Sequence, residues 1–476
     1  MRQRGAYKSY VVVILSIVLA FNFMDRWALG LVLQEIKIDL QLTDTQLGLL
    51  SGIAFALFYS VMGIPIARWA DRGNRVTIIS VTAALWSVAV ALCGLAGSFA
   101  QLLLIRVGVA VGEAGGYVPA FSLLADYFNR AERPRAVALY GLGSSLSPIL
   151  GYWVAGWLNE LYGWRVMFIA LGAPGLVLAA LVWLSLREPR REIFPSSPFC
   201  AKDFSSLEGN ARSTRRDTRR DDKVPEPSFR EVCTTLWANS TFCNLLLCLS
   251  VMFFFIYGIM QWQPTFFIRS YGLTSGQIGT WFAVIYGVGG ALGSYLGGEL
   301  ASRYAAQQER FQLRAIAITL VGCGCMQTGV YLSSNSNVAL ALLAWVGILG
   351  AAINGPLYAT IQTLVPERMR AVAIALVLFF ANLIGMGLGP LAAGTLSDAL
   401  RPWAGEESLR FALLILAPGF VWAGWHAWRA SQTVGQDIGM QTSQNGDTEV
   451  SHDGRIDQDA NDQDANLQID ARLTRE

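Results

Sequence analysis

Residues 76–97 read VTIISVTAALWSVAVALCGLAG, 22 positions without a formal charge, entered straight from Asp71-Arg72-Gly73-Asn74-Arg75. A hydrocarbon layer of ~30 Å takes about 20 apolar residues of α-helix to cross. A run this long and this uniform is a membrane span, and its charged flank is a loop on one side. Outward from it, the same alternation of apolar run and short polar break recurs along the chain. Twelve spans are predicted, at 10–34, 47–68, 76–97, 101–127, 136–159, 165–186, 240–267, 276–300, 313–333, 338–365, 371–397 and 409–428. Breaks fall at Asp39/Asp44, Asp71-Arg72-Gly73, Asn129-Arg130, Tyr162-Gly163, Tyr271-Gly272 and 333–337. Composition agrees: 53% of the 476 residues are apolar and 15% charged, where a soluble domain carries about 25% charge.

Basic residues orient the spans. Segments on the N-terminal side of the membrane hold 25 lysines and arginines, eleven of them within 187–232. The opposite side holds 5: Lys37, Arg165, Arg269, Arg401 and Arg410. This bias predicts an integral protein of the cell's inner or plasma membrane with both termini cytoplasmic. The predicted organisation is an N-terminal cytoplasmic piece (1–9), a six-helix bundle (10–186), a charged cytoplasmic connector (187–239), a second six-helix bundle (240–428) and a disordered acidic tail (429–476). The tail contains the tandem Asp457-Gln458-Asp459-Ala460-Asn461 and Asp462-Gln463-Asp464-Ala465-Asn466. Seven cysteines lie mostly in apolar runs and form neither a zinc-ligand nor a disulfide framework. The first apolar run, Val11 to Leu33, is too long for a signal peptide and has no small-residue cleavage site.

The two bundles read as one unit used twice. Arg135-Ala136-Val137-Ala138 opens span five, and Arg370-Ala371-Val372-Ala373 opens span eleven, 235 residues later. Pro119 and Pro356 precede them in spans four and ten. Gly141, Gly143, Ser147, Pro148 and Gly151 follow in one half, and Gly385, Gly387, Gly389, Pro390 and Gly394 in the other. Small residues let helices approach closely. Repeated bundles around a central cavity are the architecture of secondary transporters.

The loop Ala67-Arg68-Trp69-Ala70-Asp71-Arg72-Gly73-Asn74-Arg75 resembles the major facilitator signature G-x-L-A-D-R-x-G-R-[KR]. Ala70, Asp71, Arg72 and Arg75 match it; Ala67, Trp69, Asn74 and Val76 depart from it. The resemblance implies an all-α polytopic fold of two pseudo-symmetric six-helix bundles and alternating access. It also implies a conformational latch at Asp71, Arg72, Arg75 and Arg135. Phe21-Asn22-Phe23-Met24-Asp25-Arg26, Arg106 to Ala114 and the Asp-Arg-x-Asn-Arg form of the loop are similar to the spinster branch. That likeness implies an amphipathic substrate with an anionic head, such as a lysolipid or sphingoid phosphate, and proton coupling.

The residues carry their own argument. Asp25, Arg26, Arg106 and Glu113 lie deep in spans one and four. A charge at the centre of a lipid-facing helix costs at least ~2.5–3.5 kcal/mol, so each should face a cavity or a partner. Arg106 and Glu113 are seven residues apart, on one helix face. At ~1.5 Å per residue Asp25 lies about 22 Å from the cytoplasmic start of its span and Glu113 about 18 Å from the outer end of its own, so the four can converge. Asp25 and Glu113 are expected to exchange protons, and Arg106 and Arg26 to bind substrate together with Glu113 and Tyr117. A static ion-pair network is the competing reading. Further lining candidates are Tyr257, Gln261, Gln263 and Pro264 in span seven, Asn354, Tyr358 and Gln362 in span ten, and Asn382 in span eleven.

No enzyme, metal site or cofactor is expected; a proton gradient is the expected energy source. His426 and His452 pair with no nucleophile, and Gly112-Glu113-Ala114-Gly115-Gly116 lacks a Walker lysine. The expected partners are the substrate and the bilayer, with no nucleic acid and a monomeric chain. Alternatives are a carrier of another organic acid, sugar acid or drug, an uncoupled lipid scramblase, or a non-transporting receptor.

Overall fold

The computed structural model describes residues 2–129, 131–189, 229–305, 308–366 and 369–439. Most of the predicted connector, and the tail from 440 onward, lie outside the described residues. Among the described residues every regular element is helical. Nine continuous helical stretches among the described residues are long and apolar enough to cross a membrane. Two of these are pairs folded back on themselves: 133–185 turns at Gly163 (φ 81°), and 372–439 turns at Gly405 (φ 57°). Left-handed backbone of this kind is cheap only for glycine. The Gly-rich stretch 275–304 is the remaining rod, which completes the predicted twelve spans. Large apolar side chains project outward around the bundle, Leu184 being 82% and Leu104 71% exposed. Only lipid covers so much apolar surface at low cost.

Caps set the helix ends. Thr43 with Gln46, and Thr274 with Gln277, form reciprocal capping boxes at the starts of spans two and eight. Asn74, Ser98 and Asn239 accept backbone N–H groups at the starts of spans three, four and seven. Each such cap is worth about 1 kcal/mol. Several helices outrun their apolar segments. The first runs Arg2–Leu40, and the last continues to residue 439 rather than 428. Phe229–Ala238, inside the predicted connector, is also helical. A helix satisfies its own backbone, so it need not stop where its lipid-facing residues stop.

The rods break near mid-membrane. Span two breaks at Gly52, span four at 114–116, span seven at 261–262 and span ten at Ile353. Spans five, eight and eleven carry π-helical stretches at Leu150–Val154, Ala283–Gly289 and Ala381–Leu388. Such irregularities collect where helices surround a site. The breaks in spans four and ten are counterparts, since the helix resumes at Tyr117 and at Asn354, with Pro119 and Pro356 each in the third position.

The face bearing both chain ends is here the terminal face, and the opposite one the distal face. The halves pack together through their distal and central parts. Residues 44–51 lie on 389–404, residues 155–162 and 150–154 on 275–282, and Arg133–Ile149 on Ala283–Gly289. Gly52 explains one close crossing, because a side chain there would meet the carbonyl oxygen of Gly387 at 2.5 Å.

Candidate functional site

The four deep charges converge as two crossed pairs between spans one and four. Arg106 Nη1 donates to Asp25 Oδ2 at 2.6 Å. Arg26 donates to Glu113 Oε2 through Nε at 2.8 Å and Nη2 at 2.5 Å. Asp25, Arg106 and Glu113 are fully buried, and Arg26 is partly buried, its side chain 19% exposed. Glu113 is the last residue of its helix segment, which stops at the turn 114–116. The turn is possible because Gly115 packs against Thr82 with no room for a side chain. Asn22 Nδ2 donates to the Glu113 carbonyl oxygen at 3.4 Å. Three atoms of the cluster remain without a hydrogen-bond partner: Asp25 Oδ1, Glu113 Oε1 and Arg106 Nε. Unpaired buried polar atoms are costly.

Aromatic rings hold the arginines. The Arg26 guanidinium lies 4.6 Å from the Phe23 and Phe55 ring centres and 4.7 Å from that of Tyr59. Arg106 lies 5.2 Å from Phe55. Such contacts are worth about 0.5–2 kcal/mol each, more when dry, and do not consume the N–H donors.

Both arginines line a central cavity of about 660 Å³ between the halves, while Asp25 and Glu113 lie behind them, outside its lining. Of the other predicted lining residues, Tyr117, Tyr257, Gln261, Gln263, Asn354 and Asn382 line it. Tyr358, Pro264 and Gln362 do not; Pro264 is buried in the first turn after the span-seven break, and Gln362 faces outward near the terminal face. Spacing by four put Asn354, Tyr358 and Gln362 on one helix face, but only the first of them reaches the cavity, at the point where the helix restarts.

The second-half wall is built on hydrogen bonds between neutral groups. Tyr286 donates to Gln263 Oε1, Gln263 Nε2 to the Tyr331 hydroxyl at 3.4 Å, and Gln327 Nε2 to the same hydroxyl at 2.5 Å. Trp27 stacks on Tyr286 with ring centres 6.4 Å apart and donates Nε1–H to Ser147 at 3.1 Å. Gln261 packs against Gly30, its Nε2 buried and without a partner. Trp27, Tyr286 and Gln327 carry no charge and sit in ordinary apolar runs, so the sequence gives no sign of their position.

Comparison with known proteins decides the family. The Major Facilitator Superfamily profile matches residues 15–428. An MFS-type efflux pump of Mycolicibacterium smegmatis is 30% identical over 426 residues, covering 89% of this chain and 93% of that one. Protein spinster homolog 1 of Xenopus tropicalis is 24% identical, over 86% of this chain and 77% of its own. A crystal structure of a bacterial homologue of the human lysosomal transporter Spinster, inward-facing and unoccupied, superposes with TM-score 0.76 at 29% identity, covering 90% of this chain and 98% of that one. The chain belongs to the major facilitator superfamily, in its spinster-like branch. It is an integral membrane protein with the fold of an alternating-access transporter.

In this facilitator the distal closure centres on Asp44. Arg269, from the other half, donates to both its carboxylate oxygens at 2.9 and 2.8 Å. Lys37 reaches the same carboxylate at 2.6 Å and Ser397 at 2.7 Å, while Arg269 Nε donates to Gln34 at 2.6 Å. The carboxylate of Asp398 accepts the N–H groups of Asp44 and Thr45 at 3.1 and 2.7 Å. Across the pseudo-symmetry axis, Glu160 accepts the Gly276 N–H at 2.7 Å. Each half thus places a carboxylate on the N-terminus of a span in the other, where the helix dipole favours it.

The signature-loop residues lie on the terminal face. Arg75 is fully buried and stays within its own half. It donates to Glu188 through its side chain and, at 2.7 Å, its backbone N–H; it also pairs with Asp126 at 2.7 Å and donates to the Ser122 carbonyl oxygen at 2.8 Å. Asp71, Arg72 and Arg135 are exposed.

Proposed function

We propose that this protein is a proton-coupled transporter of an amphipathic organic anion, held here in an inward-open state with both termini cytoplasmic. The observation that carries the proposal is the layering of the charge cluster: arginines face the cavity and their carboxylate partners are sealed behind them. A guanidinium binds phosphate or carboxylate bidentately. An anionic head that draws Arg106 or Arg26 toward the cavity leaves Asp25 or Glu113 without its counter-charge in a dry site, and that acid then takes a proton. Release reverses the exchange. Substrate occupancy and protonation are in this way linked through one set of hydrogen bonds.

The inward-open assignment rests on the joined distal face, on the basic bias that places the termini in the cytoplasm, and on the likeness to an inward-facing spinster homologue. The exposed residues Asp71, Arg72 and Arg135 are then the latch in its released state, closing against the second half when the terminal face shuts, with Arg75 bracing their loop within the first half.

The apolar part of the cavity wall, with Trp27, Phe253, Ile256 and Tyr257, suits the apolar part of such a substrate. A second reading, a sugar acid, draws on Gln261, Gln263, Asn354 and Asn382 as hydroxyl-binding groups. It also draws on relatives described as a probable L-galactonate transporter and a hexuronate transporter.

Reconstituted uptake with and without a pH gradient tests the proposal. Asp25→Asn and Glu113→Gln should each abolish gradient-driven flux while leaving substrate exchange and folding. Arg106→Ala should weaken anion binding by about 30-fold or more, the loss of a desolvated charged contact. Normal gradient-driven flux in the acid variants would defeat the coupling assignment. Loss of stability in every single variant, restored together with flux in the Asp25→Asn/Arg106→Ala double that removes both members of one pair, would establish a static network instead.

A further inference from the structure

On the terminal face, away from the central cavity, span nine and the long end of span twelve enclose a groove of about 290 Å³. Glu309, Arg310, Phe311 and Arg314 line it from Glu309–Leu332, and Val434 and Ile438 from the other side. Arg310 and Arg314 stand one helical turn apart and share a face. The Nε of Arg314 is buried and has no acceptor, and its guanidinium lies 5.3 Å from the Trp428 ring centre. Arg429, one residue beyond Trp428, lies 5.5 Å from the ring of Trp425. Among the described residues no carboxylate forms an ion pair with Arg310, Arg314 or Arg429, and Glu309, the acid in the lining, pairs with none of them.

Ordinary cytoplasmic arginines are solvated and leave no sealed donor. Among the described residues this groove combines a sealed N–H, two guanidinium groups without an ion-pair partner and an apolar floor, with Arg429 nearby on the same helix end. Its height in the bilayer follows from the tryptophans beneath it. Trp422, Trp425 and Trp428 are 55%, 52% and 41% exposed on the span-twelve surface, and tryptophan collects at the headgroup boundary. Val434 lies six residues beyond Trp428, about 9 Å along the helix, which puts the groove in the headgroup layer. Below it, Ile318, Val321 and Val421 present an exposed apolar face.

We propose that this groove binds the phosphate of an anionic membrane phospholipid, with its acyl chains lying along spans nine and twelve. Basic pockets between spans at the membrane surface recognise such headgroups. The chain's own acidic tail, which continues from residue 440 close to Ile438, is the competing occupant. The lipid is favoured by the level of the tryptophans and by the apolar surface that continues the groove into the membrane.

The test uses the full-length protein, stripped of lipid in neutral detergent. Retention of phosphatidylglycerol, phosphatidylcholine or inorganic phosphate is followed by native mass spectrometry and thermal unfolding. Phosphatidylglycerol should bind and stabilise, while phosphatidylcholine and inorganic phosphate should not. Each arginine near an anionic headgroup is worth about 5-fold, so R310Q should weaken phosphatidylglycerol binding about 5-fold and R310Q/R314Q about 30-fold. R303Q, on the same face but paired with Glu299, should bind as wild type does. Equal binding of phosphatidylcholine, or equal weakening by R303Q, would overturn the proposal by showing general surface attraction. Stabilisation by inorganic phosphate alone would overturn it in favour of a free-anion site. Tighter lipid binding after Asp457, Asp459, Asp462 and Asp464 are all changed to Asn would make the tail the occupant and overturn it as well.

Discussion

Replacing Asp44 by Asn should open the distal face. In the closed arrangement the Asp44 carboxylate is almost inaccessible and accepts from Arg269, Lys37 and Ser397, with Arg269 only 5% exposed. The amide keeps the shape but not the charge, so Arg269 and Lys37 share a dry interface without a counter-ion. Breaking a buried pair from one side costs about 3–5 kcal/mol when the remaining charge has no escape. Here it has one, since parting of the distal ends returns both cations to water. The penalty therefore falls on the closed state and shifts the conformational equilibrium. A transporter resting 99:1 in favour of distal closure holds that state by about 2.7 kcal/mol, so a penalty of ~3 kcal/mol brings the two states near parity. Spin labels at Gln41 and Trp403, exposed positions at the distal ends of the two halves, would read this as a second, longer distance population. Arg269→Gln/Asp44→Asn together should restore part of the closure, because only Lys37 is then left without its counter-ion. If the Asp44→Asn distances match wild type while the melting temperature falls, the cluster braces the fold and does not gate it.

Three further outcomes are expected. Arg75→Gln should lower thermal stability by about 3–5 kcal/mol, because it removes the buried charge that Glu188 and Asp126 enclose, and should leave the label distances unchanged since its contacts stay within one half; a shifted distance distribution would instead support the latch role that the signature implies. Gly52→Val should favour the distal-open state through collision with the Gly387 carbonyl oxygen, with the smaller Gly52→Ala giving a lesser shift by the same labels; a wild-type distribution for Val would show that spans two and eleven can part locally without opening. A cysteine at Ser334, exposed in the turn between spans nine and ten, should react with an impermeant reagent from outside intact cells, and reaction only after permeabilisation would invert the proposed orientation.

The span count was legible because lipid demands the same apolar length each time, and the convergence of Asp25, Arg26, Arg106 and Glu113 followed from helical rise and antiparallel direction alone. The pairing within that cluster was not legible. Whether Arg106 meets Asp25 or Glu113 depends on how span one is rotated against span four, which no periodicity encodes. The distal closure was missed for a different reason. Asp44, Lys37 and Arg269 read as loop charges at span ends, and they are buried only because two halves far apart in sequence close over them. The burial of Arg75 was illegible for the same reason, since a basic residue in a short loop gives no hint that Glu188 and Asp126 will enclose it. The π-helical stretches also lie within uninterrupted apolar runs, where an extra residue per turn changes the packing and not the composition.

Repetition and asymmetry divide the work between them. The distal closure is built twice: Thr43 and Gln46 cap a span whose N-terminus receives Asp398, and Thr274 and Gln277 cap the one that receives Glu160. A closure repeated in both halves suits rocking about a common axis. The deep charges are not repeated. The first half carries both arginines and both acids, and the second answers with Gln263, Tyr286, Gln327 and Tyr331, none of which changes charge in the physiological range. Two titrating walls would exchange protons independently as the halves separate, and a proton could then cross without substrate. In the proposed cycle all the exchange is on one wall, so that a proton moves only when an arginine there changes partner, and the substrate's anionic head is what changes it.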